Sequence, residues 1–155
     1  DDHDASIIGL RFFSVYGPLG RPDMAYFSFA DSVKKKKIIT LINEGKMYRD
    51  MTYIDDVIDG ILGAINYVTN SNNKIRNEIF NLGNDKPIKT SELLRKIELY
   101  FNQRAKTKTE YTERESLITH ADITKAKNLL GYDPKVSFDE GIIKFLDWYK
   151  NYENL

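Results

Sequence analysis

The chain has 155 residues, which suits one domain or a large part of a bigger one. Apolar residues make up 41% and charged residues 30%, which favours a packed core and argues against global disorder. The 23 basic residues equal the 23 acidic ones, no apolar run approaches the roughly 20 residues of a membrane span, and cysteine is absent. We therefore expect no nucleic-acid partner, no membrane segment, no disulfide and no thiol catalysis. The two histidines, His3 and His120, lie far apart in sequence, so no metal site is predicted.

The first predicted element is a strand over residues 7–16, because IIGLRFFSVY is β-branched and aromatic almost throughout. A run of this kind is typical of a central parallel strand that is covered on both faces. Pro22 and Asp23 then predict a helix start, with the helix running from 24 to about 36. Residues 38–42 predict a short strand, and residues 43–45 predict a turn.

The stretch around which the chain is organised is residues 45–56, with the sequence GKMYRDMTYIDD. Its second half predicts a strand over 49–54, and an apolar helix follows from about 56 to 68. Asp55 or Asp56 suits the N-cap of that helix, because a carboxylate there accepts the free N–H groups of the first turn.

The rest of the chain continues the alternation of strands and helices. The predicted elements are a strand over 78–82, a helix capped by Thr90 or Ser91, a strand over 107–111, a helix that Asp122 opens and Gly131 ends, and a last helix from about 138. Within the helix over 56–68, Gly60 and Gly63 lie three residues apart, which close packing explains better than dinucleotide binding. This alternation predicts an α/β fold.

Two arginines are the candidates for holding an anion. Arg49 lies on a predicted strand just ahead of a helix, where its planar fork can face a phosphate. Arg21 directly precedes a helix start, whose free N–H groups favour an anion. Ser14 and Tyr16 lie near the carboxyl end of the first strand, where α/β sheets place their ligands. We therefore predict that Arg21 and Arg49 converge on one anionic ligand.

These charges also have plainer interpretations. Arg49 can instead form a surface salt bridge with Asp50 or Glu44. The four lysines of residues 34–37 are most simply solvated charges at the negative end of a helix, and the alternative is a basic patch that touches phosphate.

Several short motifs follow one another along the chain. They are LRFFSVYGP at 10–18, GRPDMA at 20–25, GKMYRDMTYIDD at 45–56, FNLGN at 80–84, ADITKA at 121–126, LLGY at 129–132 and the ending over 141–149. In this order they resemble the extended short-chain dehydrogenase/reductase family, and most of all its UDP-glucuronate 4-epimerase branch. That branch has patterns close to L-R-F-F-T-V-Y-G-P-x-G-R-P-D-M-A and G-K-M-x-R-D-F-T-Y-I-D-D. The resemblance covers nearly the whole chain.

The resemblance implies that residues 1–155 form the C-terminal half of such an enzyme. This half would contain the terminal strands of the NAD-binding sheet, about 6–16 and 78–82, and the smaller α/β substrate-binding domain. The family's catalytic tyrosine is followed four residues later by a lysine, and none of the ten tyrosines here has that lysine. The pair and most of the NAD site would therefore lie in an N-terminal half that is absent from this chain, which alone would be inactive.

The implied reaction is the interconversion of UDP-glucuronate and UDP-galacturonate by transient hydride transfer to NAD. The full-length enzyme is expected to be a cytoplasmic homodimer that serves polysaccharide biosynthesis. Arg49 would hold the UDP diphosphate, and Ser14 and Arg21 would meet the sugar carboxylate. The remaining implied contacts are Met24 and Ala25 in the substrate site, Ile39, Thr40 and Ile42 along the uracil, and Phe12 and Phe13 near the nicotinamide.

Three departures from the branch pattern affect this assignment. Ser14 replaces a threonine and keeps its hydroxyl, whereas Met51 replaces an aromatic residue in the wall of the diphosphate site. Residues 112–117, TERESL, replace Q-P-G-D-V-P and introduce Arg114, which is either a phosphate ligand or a plain surface charge. The alternative functions are a nucleotide-sugar dehydratase or decarboxylase of the same family, and a non-catalytic sugar-nucleotide binding module. The last of these would leave apolar strand edges exposed.

Overall fold

The computed structural model describes residues 6–70 and 77–152, so His3 lies outside the described residues. The strands are β1 (Ile8–Phe12), β2 (Ser14–Tyr16), β3 (Ile38–Ile42), β4 (Tyr48–Tyr53), β5 (Glu78–Leu82), β6 (Pro87–Lys89) and β7 (Lys106–Glu110). The helices are α1 (Ala25–Lys34), α2 (Ile54–Thr69), α3 (Thr90–Phe101), α4 (Thr124–Leu130) and α5 (Phe138–Tyr152). Helices alternate with strands and three of the four strand pairings are parallel, which confirms the α/β prediction. Among the described residues, no helix has the length and apolar character needed to cross a membrane.

The predicted single strand over 7–16 is two strands that belong to different sheets. β1 pairs in parallel with β5, whereas β2 pairs in parallel with β4, which in turn pairs antiparallel with β6. The chain changes sheets at Phe13, where the N–H of Val15 donates to the Phe13 carbonyl at 2.9 Å in a three-residue turn.

Within the described residues, β1 is not covered on both faces as predicted for this run. Phe12 remains 49% exposed, and Ile7 just ahead of the strand is exposed as well. In the part of the chain that the structure describes, β1 has one strand neighbour, β5, and α2 lies beside it.

The third sheet consists of β3 and β7, which pair in parallel from Ile38↔Lys106 to Ile42↔Glu110. The predicted strand over 107–111 is therefore present, one residue earlier. Every residue of β7 is exposed, and lysine alternates with threonine along it, which suits an edge strand that must not pair with other molecules. β6 was not predicted, because three residues after a turn are too few to show a strand period.

Two predicted helix caps are wrong. Tyr53 rather than an aspartate is the N-cap residue of α2, and the buried Asp56 carboxylate accepts the N–H groups of Lys135 and Val136 at 2.9 and 3.1 Å. The hydroxyl of Thr90 donates to the Met47 carbonyl at 3.0 Å and does not cap α3, whose N-cap is Lys89. In both cases a distant segment supplies the hydrogen-bond partner that the sequence assigned to the helix itself.

The predicted end of α4 is confirmed. Gly131 is the C-cap with a positive φ of 66°, a conformation that glycine adopts without steric cost. Asp122 accepts the Thr124 N–H at 2.9 Å just ahead of the helix.

The described residues form two hydrophobic cores. The larger core packs α1, α3 and α5 on the sheet of β2, β4 and β6, and its buried aromatic residues are Tyr16, Tyr26, Phe27, Phe29, Tyr53, Phe138, Phe145 and Tyr149. The smaller core lies between β5, α2 and α4, and its buried residues are Phe80, Leu82, Ala121, Ile123, Ala126 and Tyr132.

Close packing of α2 in the smaller core explains the two helical glycines, as predicted. A Cβ on Gly60 would lie 2.8 Å from the Leu82 side chain. A Cβ on Gly63 would lie 2.7 Å from the Leu130 carbonyl oxygen, so α4 can approach only because a side chain is missing there.

Candidate functional site

Two adjoining hollows contain most of the predicted site residues. We call the first the inner hollow; it has a volume of about 40 Å³ and lies beside β2, β4 and the start of α1. Its lining residues are Ser14, Met24, Ala25, Tyr26, Arg49, Met51, Ile88, Thr90 and Leu93. Strand register explains this assembly, since Ser14 pairs with Met51 and Arg49 pairs with Ile88. Four predicted substrate residues, Ser14, Met24, Ala25 and Arg49, therefore lie together.

The second, which we call the outer hollow, has a volume of about 450 Å³. It lies at the turn after β2, and the residues that line it include Phe12, Phe13, Pro18, Arg21, Met24, Tyr26 and Ile54. Its volume falls in the range of small-molecule pockets, roughly 300–1,000 Å³. The two residues predicted to lie near the nicotinamide, Phe12 and Phe13, form part of its wall.

Arg21 and Arg49 line different hollows, which adjoin because Met24 and Tyr26 line both. Their convergence on one ligand therefore stays a prediction. Arg21 is an exposed side chain that donates through Nε and Nη2 to the Asp23 carboxylate, at 3.1 and 2.5 Å. This hydrogen bond lowers the pKa of Asp23 and raises that of Arg21, so both groups stay charged at neutral pH.

Arg49 is more buried and more completely hydrogen-bonded. Its Nη1 donates to the main-chain carbonyls of Tyr48 and Ser116 at 2.9 and 3.0 Å. Its Nη2 donates to Oε2 of Glu115 at 2.8 Å. The alternative partners suggested by the sequence, Asp50 and Glu44, do not pair with it, because Asp50 is buried elsewhere and Glu44 pairs with Lys46.

Asp50, next to Arg49 on β4, is a structural residue that sequence reasoning missed. Its fully buried carboxylate accepts the N–H groups of Asn84, Asp85 and Ala121 at 2.6, 3.1 and 2.9 Å. Ionised carboxylates that accept main-chain N–H groups form strong, short hydrogen bonds. Asp50 therefore fixes the turn after β5 and the stretch before α4 against the strand that carries Arg49. The alternation of strand side chains, which puts Asp50 on the face opposite Arg49, was the signal available in the sequence.

The stretch that carries Glu115 and Ser116 is held along the same strand. Tyr48 N–H donates to the Leu117 carbonyl at 2.8 Å, and Thr119 N–H donates to the Tyr48 carbonyl at 3.1 Å. Asp50 N–H donates to the Thr119 carbonyl at 3.0 Å. Sequence reasoning also missed Glu115, since nothing in the residues 112–117 predicts contact with a strand 66 positions earlier.

Three predicted substrate residues line neither hollow. Ile39, Thr40 and Ile42 lie on β3, and the side chain of Ile39 is buried in the larger core. Ile39 can therefore offer a ligand only its main chain, and the placement of Ile39, Thr40 and Ile42 along the uracil stays a prediction. Arg114 is exposed and lines neither hollow.

The lysines of residues 34–37 also lie outside both hollows. Lys35 and Lys37 form ion pairs with Asp31, which supports their interpretation as solvated charges at the end of α1. Lys34 lies over the ring of Tyr149 at 5.7 Å.

Burial keeps the phenols beside the hollows neutral. Burial is the main cause that raises the pKa of Tyr16 and of Tyr26 above the ordinary value. The hollows therefore combine two cationic guanidiniums with neutral hydroxyls and apolar side chains, which is an environment suited to an anionic ligand with a flat or apolar part.

Comparison with known proteins places this site in a family. The family model described as the NAD dependent epimerase/dehydratase family matches residues 1–83. An uncharacterised protein of Methanocaldococcus jannaschii is 49% identical over 92% of this chain and 42% of its own length. UDP-glucuronate 4-epimerase 3 of Arabidopsis thaliana is 41% identical over 96% of this chain and 37% of its own length.

Solved structures agree with these sequence matches. The UDP-glucuronic acid 4-epimerase of Bacillus cereus, in complex with UDP-glucuronic acid and NAD, superposes with a TM-score of 0.82 at 33% identity. The match covers 92% of this chain and 45% of that protein. This chain thus spans less than half the length of each of these relatives. Its α/β fold, with parallel strand pairs, is that of extended Rossmann-type enzymes. The chain belongs to the NAD dependent epimerase/dehydratase family.

Proposed function

We propose that this chain is the substrate-binding portion of an NAD-dependent nucleotide-sugar 4-epimerase that interconverts UDP-glucuronate and UDP-galacturonate. The observation that carries the proposal is the inner hollow, where Ser14, Met24, Ala25 and Arg49 lie together. The relatives named UDP-glucuronate 4-epimerases, which match 95% or more of this chain, support the choice of substrate. In the cell the enzyme would act in the cytoplasm and supply uronic-acid sugars for polysaccharide synthesis.

The two arginines would bind different negative charges of one substrate. Arg49, anchored by two main-chain carbonyls, would hold the diphosphate through the remaining N–H groups of its fork. Arg21 is exposed at the rim of the outer hollow and would turn from Asp23 to the sugar carboxylate, with Ser14 donating a hydroxyl. A guanidinium that meets a carboxylate explains a preference for a uronic acid over a neutral hexose.

The outer hollow fits the nicotinamide end of NAD. Phe12 and Phe13 give it an apolar wall beside Arg21, and Phe12 is open to a ligand. When bound, NAD supplies a reversible hydride acceptor for carbon 4 of the sugar. The residues of this chain orient the sugar toward it and shield it from water.

We also propose that the enzyme's N-terminal half completes both the sheet and the catalytic site. β1 has a free edge in the described residues, and beside it an apolar hollow of about 290 Å³ lies between β1 and α2. The N-terminal half would pair with this edge, cover this hollow and supply the tyrosine, the lysine and most of the NAD site. The completed enzyme would be a homodimer, and residues 1–155 alone would lack activity.

Binding measurements on the protein joined to its N-terminal half test the substrate. UDP is expected to raise the melting temperature, because a ligand that binds only the folded state stabilises it. Arg21→Ala is expected to lower the affinity for UDP-glucuronate by about 10- to 100-fold, since a charge-assisted contact with the carboxylate is lost. The affinity for UDP-glucose is expected to fall by less than about threefold. Arg49→Ala is expected to weaken the binding of both UDP-sugars equally. Arg114→Ala is expected to leave the affinity for both unchanged.

The outcome for each arginine is decisive. Equal losses for both sugars in Arg21→Ala remove the carboxylate role, and unchanged UDP affinity in Arg49→Ala removes the diphosphate role. Product analysis then tests the reaction. UDP-galacturonate is the expected product of UDP-glucuronate, whereas release of carbon dioxide would identify a decarboxylase.

A further inference from the structure

We infer that Glu115 is an internal counter-ion of Arg49 which the anionic group of the ligand replaces, so that Glu115 sets the affinity of the site. The inference rests on the proposed function, since it concerns the arginine assigned to the diphosphate. Glu115 accepts from Nη2 of Arg49 at 2.8 Å. Two residues 66 positions apart thus form an ion pair at the lining of the inner hollow.

The hydrogen bonds of Arg49 divide into a fixed set and an exchangeable one. Nη1 is held by the main-chain carbonyls of Tyr48 and Ser116, which belong to backbone that is itself paired along β4. Nη2 is held by the side chain of Glu115, which is 53% exposed. A side chain on the surface can rotate away from its partner at little cost, whereas the paired main chain cannot.

The size of the inner hollow also indicates that an exchange is needed. Its volume of about 40 Å³ is far below the roughly 300–1,000 Å³ typical of small-molecule pockets. The hollow is therefore too small to take a diphosphate without a rearrangement of its lining. The Nη2 side of Arg49 therefore becomes available to a diphosphate when Glu115 leaves it.

Charge gives this exchange a direction. A carboxylate beside Nη2 neutralises part of the guanidinium charge and repels an incoming diphosphate. Removing the negative charge of Glu115 without changing its size should therefore tighten UDP binding. If Glu115 instead held Arg49 in the orientation needed for binding, the same substitution would weaken it.

The test compares Glu115→Gln with Glu113→Gln in the protein joined to its N-terminal half. Glu113 is an exposed carboxylate of the same segment and forms no ion pair with Arg49 among the described residues. Titration calorimetry at low salt is expected to show UDP bound about three- to fivefold more tightly by Glu115→Gln, the size typical of an exposed ion pair. Glu113→Gln is expected to stay within about 1.5-fold of the natural protein.

Two further readouts separate this role from a structural one. Uridine, which has no phosphate, is expected to bind Glu115→Gln and the natural protein alike. The gain for UDP is expected to shrink as salt rises from about 0.05 to 0.5 M, because ions screen exposed charges. A variant that was merely misfolded would lose affinity for both ligands.

Each result has a clear meaning. UDP affinity that falls in Glu115→Gln, or that matches Glu113→Gln, overturns the inference while the proposed function stands. If Arg49→Ala binds UDP as well as the natural protein does, Arg49 is not a phosphate ligand, and the inference fails together with the proposed role of Arg49.

Discussion

The larger and the smaller core differ in how completely they are covered. In the larger core, Tyr16, Phe145, Leu146 and Tyr149 are almost wholly inaccessible, and the helices α1, α3 and α5 close over them. Around the smaller core, apolar side chains of α2 and β5 point to solvent: Ile58, Leu62, Ile65 and Ile79. The helices thus close over the larger core, and we call that part of the chain the closed region, although single side chains such as Leu99 and Ile143 are exposed there. We call β1, β5, α2 and α4 around the smaller core the open region, because several apolar side chains of α2 and β5 are exposed there to whatever covers them.

This difference explains where the candidate site lies. The outer hollow is lined both by β1, which belongs to the open region, and by Tyr16 and Tyr26 of the closed region. The inner hollow, in contrast, is lined only by elements around the larger core. The closed region can therefore position Arg49 by itself, while the wall proposed for the nicotinamide depends on β1, whose second edge is unpaired among the described residues.

The largest effect on stability is expected from creating a cavity in the larger core at Phe145. Its ring is fully buried and lies 4.8 Å from the ring of Tyr26, measured between centroids. Phe145→Ala is expected to lower the free energy of unfolding by about 3–5 kcal/mol, the usual cost of such a cavity. Urea denaturation followed by circular dichroism measures it.

Ile143 is the matched control, since it lies on the same helix and is 52% exposed. Ile143→Ala is expected to change the free energy of unfolding by less than about 0.5 kcal/mol. Equal losses in the two variants would show that α5 is not packed as described.

The next effect is expected at Asp50, which joins the two regions. Asp50→Asn keeps the volume but replaces one of the two acceptor oxygens with an NH2 group, which cannot accept, so main-chain N–H groups that donate to that oxygen lose their partner. We expect a loss of about 1–3 kcal/mol in the free energy of unfolding. Hydrogen exchange is expected to speed up at the amides of Asn84 and Ala121, which donate to this carboxylate. Asp59→Asn, at an exposed position of α2, should have neither effect.

The sequence allowed the order and bounds of most elements to be predicted, because their signals are local. The helical spacing of Leu93, Leu94 and Ile97, and the glycine at 131, report directly on α3 and on the end of α4. The prediction of one continuous strand over 7–16 was wrong at one point, Phe13. A switch from one sheet to another at Phe13 depends on which strands lie alongside, and no local pattern records it.

The site residues divide in the same way, into those that short motifs indicate and those that depend on contacts between distant segments. Resemblance placed Ser14, Met24 and Arg49 together, and the inner hollow contains all three. The roles of Asp50 and Glu115 escaped prediction because each depends on contacts with segments more than 30 positions away. Asp56 was misassigned as a helix cap for the same reason, since its partners are Lys135 and Val136.

A smaller effect is expected from making the open region polar. Leu62 is 52% exposed on α2, so Leu62→Ser is expected to change the free energy of unfolding of this chain by less than about 0.5 kcal/mol. The same variant is expected to reduce self-association of residues 1–155, measured by sedimentation velocity, because an exposed apolar face favours association. Leu99→Ser, at an exposed position of α3 beside the closed core, is the control and should leave self-association unchanged.

The smallest effect on stability is expected at the edge of the larger core. There the Tyr100 hydroxyl donates to Asp147 and joins α3 to α5. Burial and then this hydrogen bond raise the pKa of Tyr100 to about 12. A phenol whose pKa is raised by folding contributes stability that is complete below pH 10, its ordinary pKa, and is lost as the pH rises through about 12. Because the group is partly open to solvent, we expect less than about 1 kcal/mol. The natural protein should therefore lose its stability advantage over Tyr100→Phe between about pH 10 and 12 in urea denaturation. Parallel curves for the two proteins over that range would show that this contact does not help to close the core.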